Sequence, residues 1–383
     1  MAGKKGAPSG AARAKANNHT QRKKPSGGIQ AAVPSDHVKD DQDRGQSISD
    51  GDRKQQQCVL DVFRHAFQDV LSSPSLTTTL QSVKQALFER DFAKAFGDRE
   101  HLAVYAARWS PTRALCYASV LSSIKEQLKL VLSQTKADSA ENGENGDGSQ
   151  PLQELKLLSI GGGAAELVAL GAFLSQYPSL SGSIILIDSG SWATVISQLT
   201  TGLTTPPPLS KYASSAAKLS NAAMVPPSRL TSTFLQHDAL TFGKEGLRTL
   251  LGDSPLLVTV FFTLNELFTA NGIGKTTAFL LDLTSSIPIG SLLLVIDSPG
   301  SYSEASVGKD AKRYPMQWLL DRIMLGTRRD PVNGRRWAKL ESQDSVWFRL
   351  AGPDAVDYPI QLENMRYQMH LYKAEDASLD EED

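Results

Sequence analysis

The sequence predicts an α/β chain: a mostly parallel, seven-stranded sheet of the Rossmann-like kind, preceded by a helical N-terminal extension. Three observations carry this. From Lys156 to Ile296, short apolar runs of strand length alternate with helical patterns, the texture of βαβ units. The first run passes directly into Gly161-Gly162-Gly163 and then into a helical apolar pattern, Leu167, Leu170, Phe173 and Leu174. Between residues 56 and 134 the apolar positions instead recur at three and four, and no run there reads as a strand.

Taken in order, the first 53 residues read as a basic tail. Met1 to Pro34 holds seven Lys or Arg and no Asp or Glu among Gly, Ala, Ser and Pro, too little apolar material for a core. It lacks the apolar run of a secretory signal, and Arg22-Lys23-Lys24 suits a nuclear address or a loose contact with polyanions. Nucleus or nucleolus is the compartment expected, with the cytoplasm and a merely solubilising tail as alternatives. The net charge of −1 over 383 residues hides this segregation. Cys58 and Cys116 are too few for a disulfide framework and no Cys/His spacing suits zinc, so a reduced compartment and no metal are expected. No apolar run is long enough to span a bilayer, so no membrane partner is expected.

Residues 54–135 form the helical extension, through Val59, Val62, Phe63 and Phe67, then Leu80, Val83 and Leu87, then Leu115, Tyr117, Val120, Ile124 and Leu128. Ser110-Pro111 marks a helix start, proline tolerating the first turn and serine offering a cap. Residues 136–150 are a polar linker. The α/β domain covers 151–374, with strands at Lys156–Ile160, Ser183–Ile187, Ser232–Gln236, Leu256–Leu264 and Ser291–Ile296. Residues 200–228, rich in Pro, Ser and Ala, read as a low-complexity insertion reaching over the site. A helix over Pro315–Leu325 precedes two strands, Ser345–Leu350 and Arg366–Lys373, close enough to pair antiparallel. A parallel sheet finished by such a pair favours a methyltransferase over a dehydrogenase. The end, 375–383, is an acidic tail.

Glycines 161 to 163 let the backbone turn sharply and approach a ligand, while the following helix presents free N–H groups. Asp188 ends the second strand twenty-five residues beyond Gly163, where an acid holds two ribose hydroxyls. Asp238 follows the third strand, where it can accept from an adenine amino group. Each acid alone also fits a helix cap; together they trace an adenosine. A nicotinamide dinucleotide remains open, although the loop is not the strict GxGxxG form. Asn265 and Glu266 follow the fourth strand and Asp297 the fifth, at the strand carboxyl ends where a ligand crevice lies; polar turns are the alternative. Gly272-Ile273-Gly274-Lys275-Thr276 imitates a phosphate loop, but Thr269 stands where the first glycine is needed, and a helix start fits better. From Lys309 to Lys339 a basic stretch includes Lys312, Arg313 and Arg322, interleaved with Tyr314, Trp318 and Trp337, which suits RNA or else a solvated face over core tryptophans.

Five segments carry a resemblance: Arg108-Trp109-Ser110-Pro111-Thr112-Arg113-Ala114-Leu115, Ser159-Ile160-Gly161-Gly162-Gly163-Ala164-Ala165-Glu166, Leu264-Asn265-Glu266-Leu267-Phe268, Asp297-Ser298-Pro299-Gly300-Ser301-Tyr302 and Leu362-Glu363-Asn364-Met365-Arg366. Through them the chain resembles the fungal 25S ribosomal RNA (uridine-N3)-methyltransferases, the group modifying the later of two such uridines. The resemblance implies a class I methyltransferase fold, S-adenosyl-L-methionine as methyl donor, and ribosomal RNA or a pre-ribosomal particle as partner. Gly161, Gly162, Gly163 and Glu166 would then meet the donor's carboxylate end, Asp188 its ribose and Asp238 its adenine. Asn265, Glu266 and Asp297 would face the acceptor, and Lys312, Arg313, Trp318 and Arg322 would grip RNA. The imide N3 of uracil is a poor nucleophile while protonated, so Glu266 or Asp297 could serve as base, or solvent could take the proton. Two rivals stay open: a non-catalytic RNA-binding assembly protein on the same fold, and a methyltransferase acting on a protein or small molecule.

Overall fold

The computed structural model describes residues 49–134, 152–300, 302–307, 310–350 and 356–380. The basic segment to Pro34, the linker 136–150 and the last acidic residues, 381–383, lie outside the described residues.

The extension begins earlier than its apolar pattern suggests. Helix α1 (Asp50–Ala66) starts where Ser49 accepts from Asp52 N, with Asp50 and Asp52 in the first turn favourable to the positive end of the helix. There follow α2 (Gln68–Leu71), α3 (Leu76–Phe88), α4 (Phe92–Phe96), α5 (Arg99–Arg108), α6 (Ser110–Ser123) and α7 (Lys125–Leu128). Ser110 caps nothing: Trp109 keeps helical dihedrals between α5 and α6, and Pro111 falls in the first turn of α6. A short strand β1 (Leu132–Gln134) leads to β2 (Gln153–Ile160).

From there the chain alternates: α8 (Ala164–Gln176), β3 (Leu180–Asp188), α9 (Ala193–Thr204), a five-residue α10 (Ser215–Leu219), β4 (Leu230–Gln236), α11 (Gly243–Leu251), β5 (Leu257–Phe261), α12 (Leu264–Ser286) and β6 (Leu292–Asp297). A hairpin, β7 (Tyr302–Val307) with β8 (Asp310–Pro315), precedes α13 (Met316–Met324), β9 (Arg335–Phe348) and β10 (Met365–Asp376). The sheet order is β4-β3-β2-β5-β6-β10-β9. Strands β2 to β6 are parallel, and β10 is antiparallel to both β6 and β9. This is the expected seven-stranded, mostly parallel arrangement, with β1 added as an eighth short strand antiparallel to β2. Chain order reverses between β2 and β5, which opens a crevice at their carboxyl ends.

Two apolar cores flank the sheet. One joins Leu155, Leu157, Met369 and Leu371 to α8 and α9, and it also takes in Phe63, Leu102, Tyr117 and Leu121 of the extension. The extension is therefore part of the same packed body, not an appendage. The other core sets Leu158, Ile160, Val258 and Tyr372 against α11, α12 and α13.

Three expectations change. The strand expected to reach Leu264 stops at Phe261, because Phe262 takes φ +51 and turns the chain into α12. The acidic end starts later than Glu375, since Glu375 and Asp376 continue β10 opposite Arg336 and Arg335. The segment after α9 does not reach over the crevice. Helix α9 carries the chain back to the amino ends of the strands, where Val225 N donates to Leu203 O at 3.1 Å and Arg229 donates to the carbonyls of Leu174, Tyr177 and Leu180.

Candidate active site

The glycine loop is shaped by close approach. Gly161 has φ +67, and a Cβ there would lie 2.1 Å from Thr263 Oγ1; one on Gly162 would lie 2.2 Å from Ser159 Oγ. Gly161 N and Gly162 N both donate to Ile187 O, at 2.8 and 3.1 Å, tying the turn to the end of β3. Ser159 is small enough to let Gly162 in, and it accepts from Thr259 Oγ1 at 3.0 Å. Gly161→Ala is accordingly expected to lower stability by about 1–3 kcal/mol, from left-handed strain plus the clash, and to abolish ligand binding at the loop. Thermal melts together with calorimetric titration check this; an unchanged melting temperature and affinity would contradict it.

Glu166, expected at the ligand, is turned back on the loop: its Oε2 accepts from Gly163 N at 2.8 Å at the start of α8. Burial pushes its carboxyl pKa up, opposed by the Gly163 N–H and the Arg113 charge. Its visible work is to hold the loop. Asp188 stands at the end of β3 and accepts from Gly190 N at 2.7 Å. Burial raises its pKa to about 6 against that hydrogen bond. Asp238 lies just beyond the neighbouring β4, exposed, where it caps the turn at Ala239–Thr241 by accepting from Leu240 N at 3.0 Å.

On the other side of β2, Asp297 ends β6 almost fully buried, at 3% exposure. Asn265 N donates to its Oδ2 at 3.0 Å and Ser298 N to its Oδ1 at 2.7 Å. Both oxygens thus brace the loops after β5 and β6; burial raises the pKa to about 6, with the two N–H groups opposing. Glu266, in the first turn of α12, is pushed up to about 7, by burial first and by the charges of Asp297 and Asp188, with Arg113 opposing. Asn265 sits between the two acids through its backbone bond.

Arg113, from α6, was not singled out as a site residue. Its guanidinium bonds the Tyr105 hydroxyl and lies 4.7 Å from the Phe262 ring centroid and 5.6 Å from that of Tyr105. It is the cation that opposes the pKa rise of Glu166, Glu266 and Asp297, so it sits among them. Around it, Tyr105 packs on Phe96 at 5.1 Å, Trp109 at 5.2 Å and Trp192 at 5.8 Å, and a Cβ on Gly163 would touch Trp192 at 3.2 Å. Helices α4 to α6 therefore wall the glycine loop. The signal was present in the sequence: Arg113 is a charge inside an otherwise apolar helix.

Gly272 to Thr276 lies within α12, where Gly272 (φ +82) breaks the helix and Thr276 Oγ1 donates to Gly272 O. That excludes a phosphate loop. Lys312 and Arg313 fall on β8, their side chains outside the described residues. Trp318 and Arg322 lie on the exposed side of α13, with the Arg322 guanidinium 5.8 Å from the Trp318 ring centroid. A cavity of about 660 Å³ opens elsewhere, between α1, α9 and residues 205–208, and contains none of the expected site residues. Among the described residues no His, Cys, Asp or Glu group could hold a metal, and no helix is long and apolar enough to cross a membrane.

The chain matches the family described as "Putative SAM-dependent methyltransferase" over residues 63–373. It is 31% identical over 344 residues to the 25S rRNA (uridine(2843)-N(3))-methyltransferase of Saccharomyces cerevisiae, covering 82% of this chain and 84% of that protein. Among solved structures, an O-methyltransferase family protein from Burkholderia thailandensis is 14% identical with TM-score 0.30, covering 74% of this chain and 64% of that one. The antibiotic-resistance methyltransferase Kmr is 12% identical with TM-score 0.32, covering 58% and 87%. A positive-φ glycine cradle, a strand-terminal Asp188 and a walled crevice at the switch point suit S-adenosylmethionine; with a family match over most of its length, the chain belongs to this family of S-adenosylmethionine-dependent methyltransferases.

Proposed function

We propose that the protein transfers a methyl group from S-adenosylmethionine to N3 of a uridine in large-subunit ribosomal RNA. The identity of the acceptor is supported by the yeast relative's name. The observation that carries the chemistry is the placement of Glu266, at the start of α12 after β5, within reach of the Arg113 charge, which lies against Phe262 at the end of the same strand.

S-adenosylmethionine, when bound, supplies an electrophilic methyl group. Asp188 would accept from its ribose hydroxyls, the Gly161 to Gly163 backbone would receive its carboxylate end, and Asp238, already a cap, would contribute less. At the acceptor, the N3–H bond breaks and an N3–CH₃ bond forms, so a proton must leave. Glu266, with a pKa of about 7, is matched to taking it near neutrality. Asp297 is the weaker candidate because both its oxygens already accept backbone N–H groups. The Arg113 guanidinium, fixed by Tyr105 and Phe262, would stabilise the negative charge spread over the uracil oxygens once N3 is deprotonated. The target base must be unpaired or extruded, since N3 lies on the pairing edge.

The test is methyl transfer in vitro from labelled donor to deproteinised large-subunit rRNA lacking the modification, read by nucleoside mass spectrometry. 3-Methyluridine is expected. A different methylated nucleoside, or none while donor binding persists, would overturn the assignment of the acceptor.

A further inference from the structure

Trp347 is 51% exposed near the carboxyl end of the edge strand β9, and two guanidiniums lie close to its ring. Arg349 Cζ lies 5.5 Å and Arg366 Cζ 5.6 Å from its ring centroid. Arg366 is held there by donating from Nε to Ser345 Oγ at 2.7 Å. Among the described residues neither guanidinium has a carboxylate partner. A large ring left half in water beside two cations that have no carboxylate partner among the described residues serves neither the core nor an ion-pair network.

Its place in the fold gives it meaning. Arg366 and Trp347 are Cα partners across β10 and β9, so they share one face of the sheet. Tyr367, Met369 and Leu371 point into the core with α8 and α9, which puts Arg366 and Trp347 on the face of α12 and α13. Gln368, two residues along β10, is the Cα partner of Asp297 and donates to Ser298 O at 2.6 Å. Along the strand direction the stack therefore stands about 7 Å beyond the end of β6 and, on the two strands next to it, about 5–10 Å to its side, at the carboxyl end of the sheet where the crevice opens. The same face carries a second pair: Trp318, 46% exposed, stacks on Tyr314 at 5.0 Å beneath Arg322.

We infer that Trp347 with Arg349 and Arg366 forms a stacking platform for an unpaired RNA nucleotide flanking the methylated uridine. The inference rests on the RNA reading above. An indole offers its face to any unstacked base, and the nearby guanidiniums suit the adjoining phosphates. A base inside a duplex has both faces already occupied, so the platform selects single-stranded RNA.

The probe is fluorescently labelled oligouridine of about 10 nucleotides, titrated with the full chain by anisotropy. Trp347→Ala is expected to weaken binding about 10-fold, while Trp347→Phe, which keeps an aromatic face, retains most of the affinity. S-adenosylmethionine affinity and melting temperature should stay unchanged in both, since the ring is exposed and outside the donor cradle. If Trp347→Ala binds within about twofold of wild type, the platform is wrong while the RNA reading stands. If wild type binds neither oligouridine nor large-subunit rRNA, the RNA reading fails and takes the platform with it.

Discussion

Replacing Glu266 with Gln is expected to lower the turnover number by about 10²- to 10⁴-fold while leaving S-adenosylmethionine affinity within about twofold of wild type. The substitution keeps shape and removes the proton acceptor. Because burial raises the pKa of Glu266 to about 7, its basic form is scarce in mildly acid solution. Wild-type turnover should therefore rise as pH increases through about 7 and then level, and the variant should lose that inflection. Stability runs the other way. A carboxyl whose folded pKa exceeds its ordinary 4.5 costs stability progressively as pH rises from there to about 7, because ionisation is then penalised by burial. Above pH 7 the Gln variant should thus melt at a higher temperature than wild type. Steady-state kinetics across pH, paired with melts, checks both halves. Turnover and pH profile unchanged in the variant would assign the proton to solvent and leave Glu266 without a chemical role.

Asp188→Ala is expected to weaken S-adenosylmethionine binding by about 100-fold or more, since each hydrogen bond to a charged group contributes about 1.5–3 kcal/mol and a ribose diol offers two. Here too pH gives an internal check. The Asp188 pKa is raised to about 6 by burial, so the carboxylate that accepts both hydroxyls is lost as pH falls through that value. Donor affinity should drop below about pH 6 in wild type and stay flat in the variant. Isothermal titration at several pH values decides it; a variant with wild-type affinity would move the ribose elsewhere.

Four of the parallel strands were legible as largely buried apolar runs, and those at Ile160 and Ile187 end on a glycine loop and an Asp; β4, LTSTFLQ, is mostly part-exposed and was legible from its β-branched and aromatic residues. The edge strand was mostly illegible. β9 extends from Arg335, yet only its last residues read as a strand, because one side of an edge strand faces water and RRWAKLESQD looks like a loop. The hairpin β7–β8, YSEASV and DAKRYP, carries no apolar run or strict alternation that would mark a strand in the sequence. Within the site, Asp188 and Glu266 were legible from their place after apolar strands, whereas Arg113 was marked only as a lone charge in its helix, with nothing to say what it meets. Its partners Phe262, Glu166 and Glu266 are more than fifty residues away in the chain, and only the packing of α6 against α8 brings it to them. Glu166 shows the converse, a residue marked by the loop pattern whose carboxylate the fold directs to Gly163 N.

The central claim is a donor-dependent methyl transfer to uridine N3, and the most direct measurement is nucleoside mass spectrometry of large-subunit rRNA from cells lacking the protein, rescued with wild type, Asp188→Ala or Glu266→Gln. The account predicts that 3-methyluridine falls in the null, returns with wild type and fails to return with either variant. Unchanged 3-methyluridine in the null, or full rescue by Asp188→Ala, would contradict it.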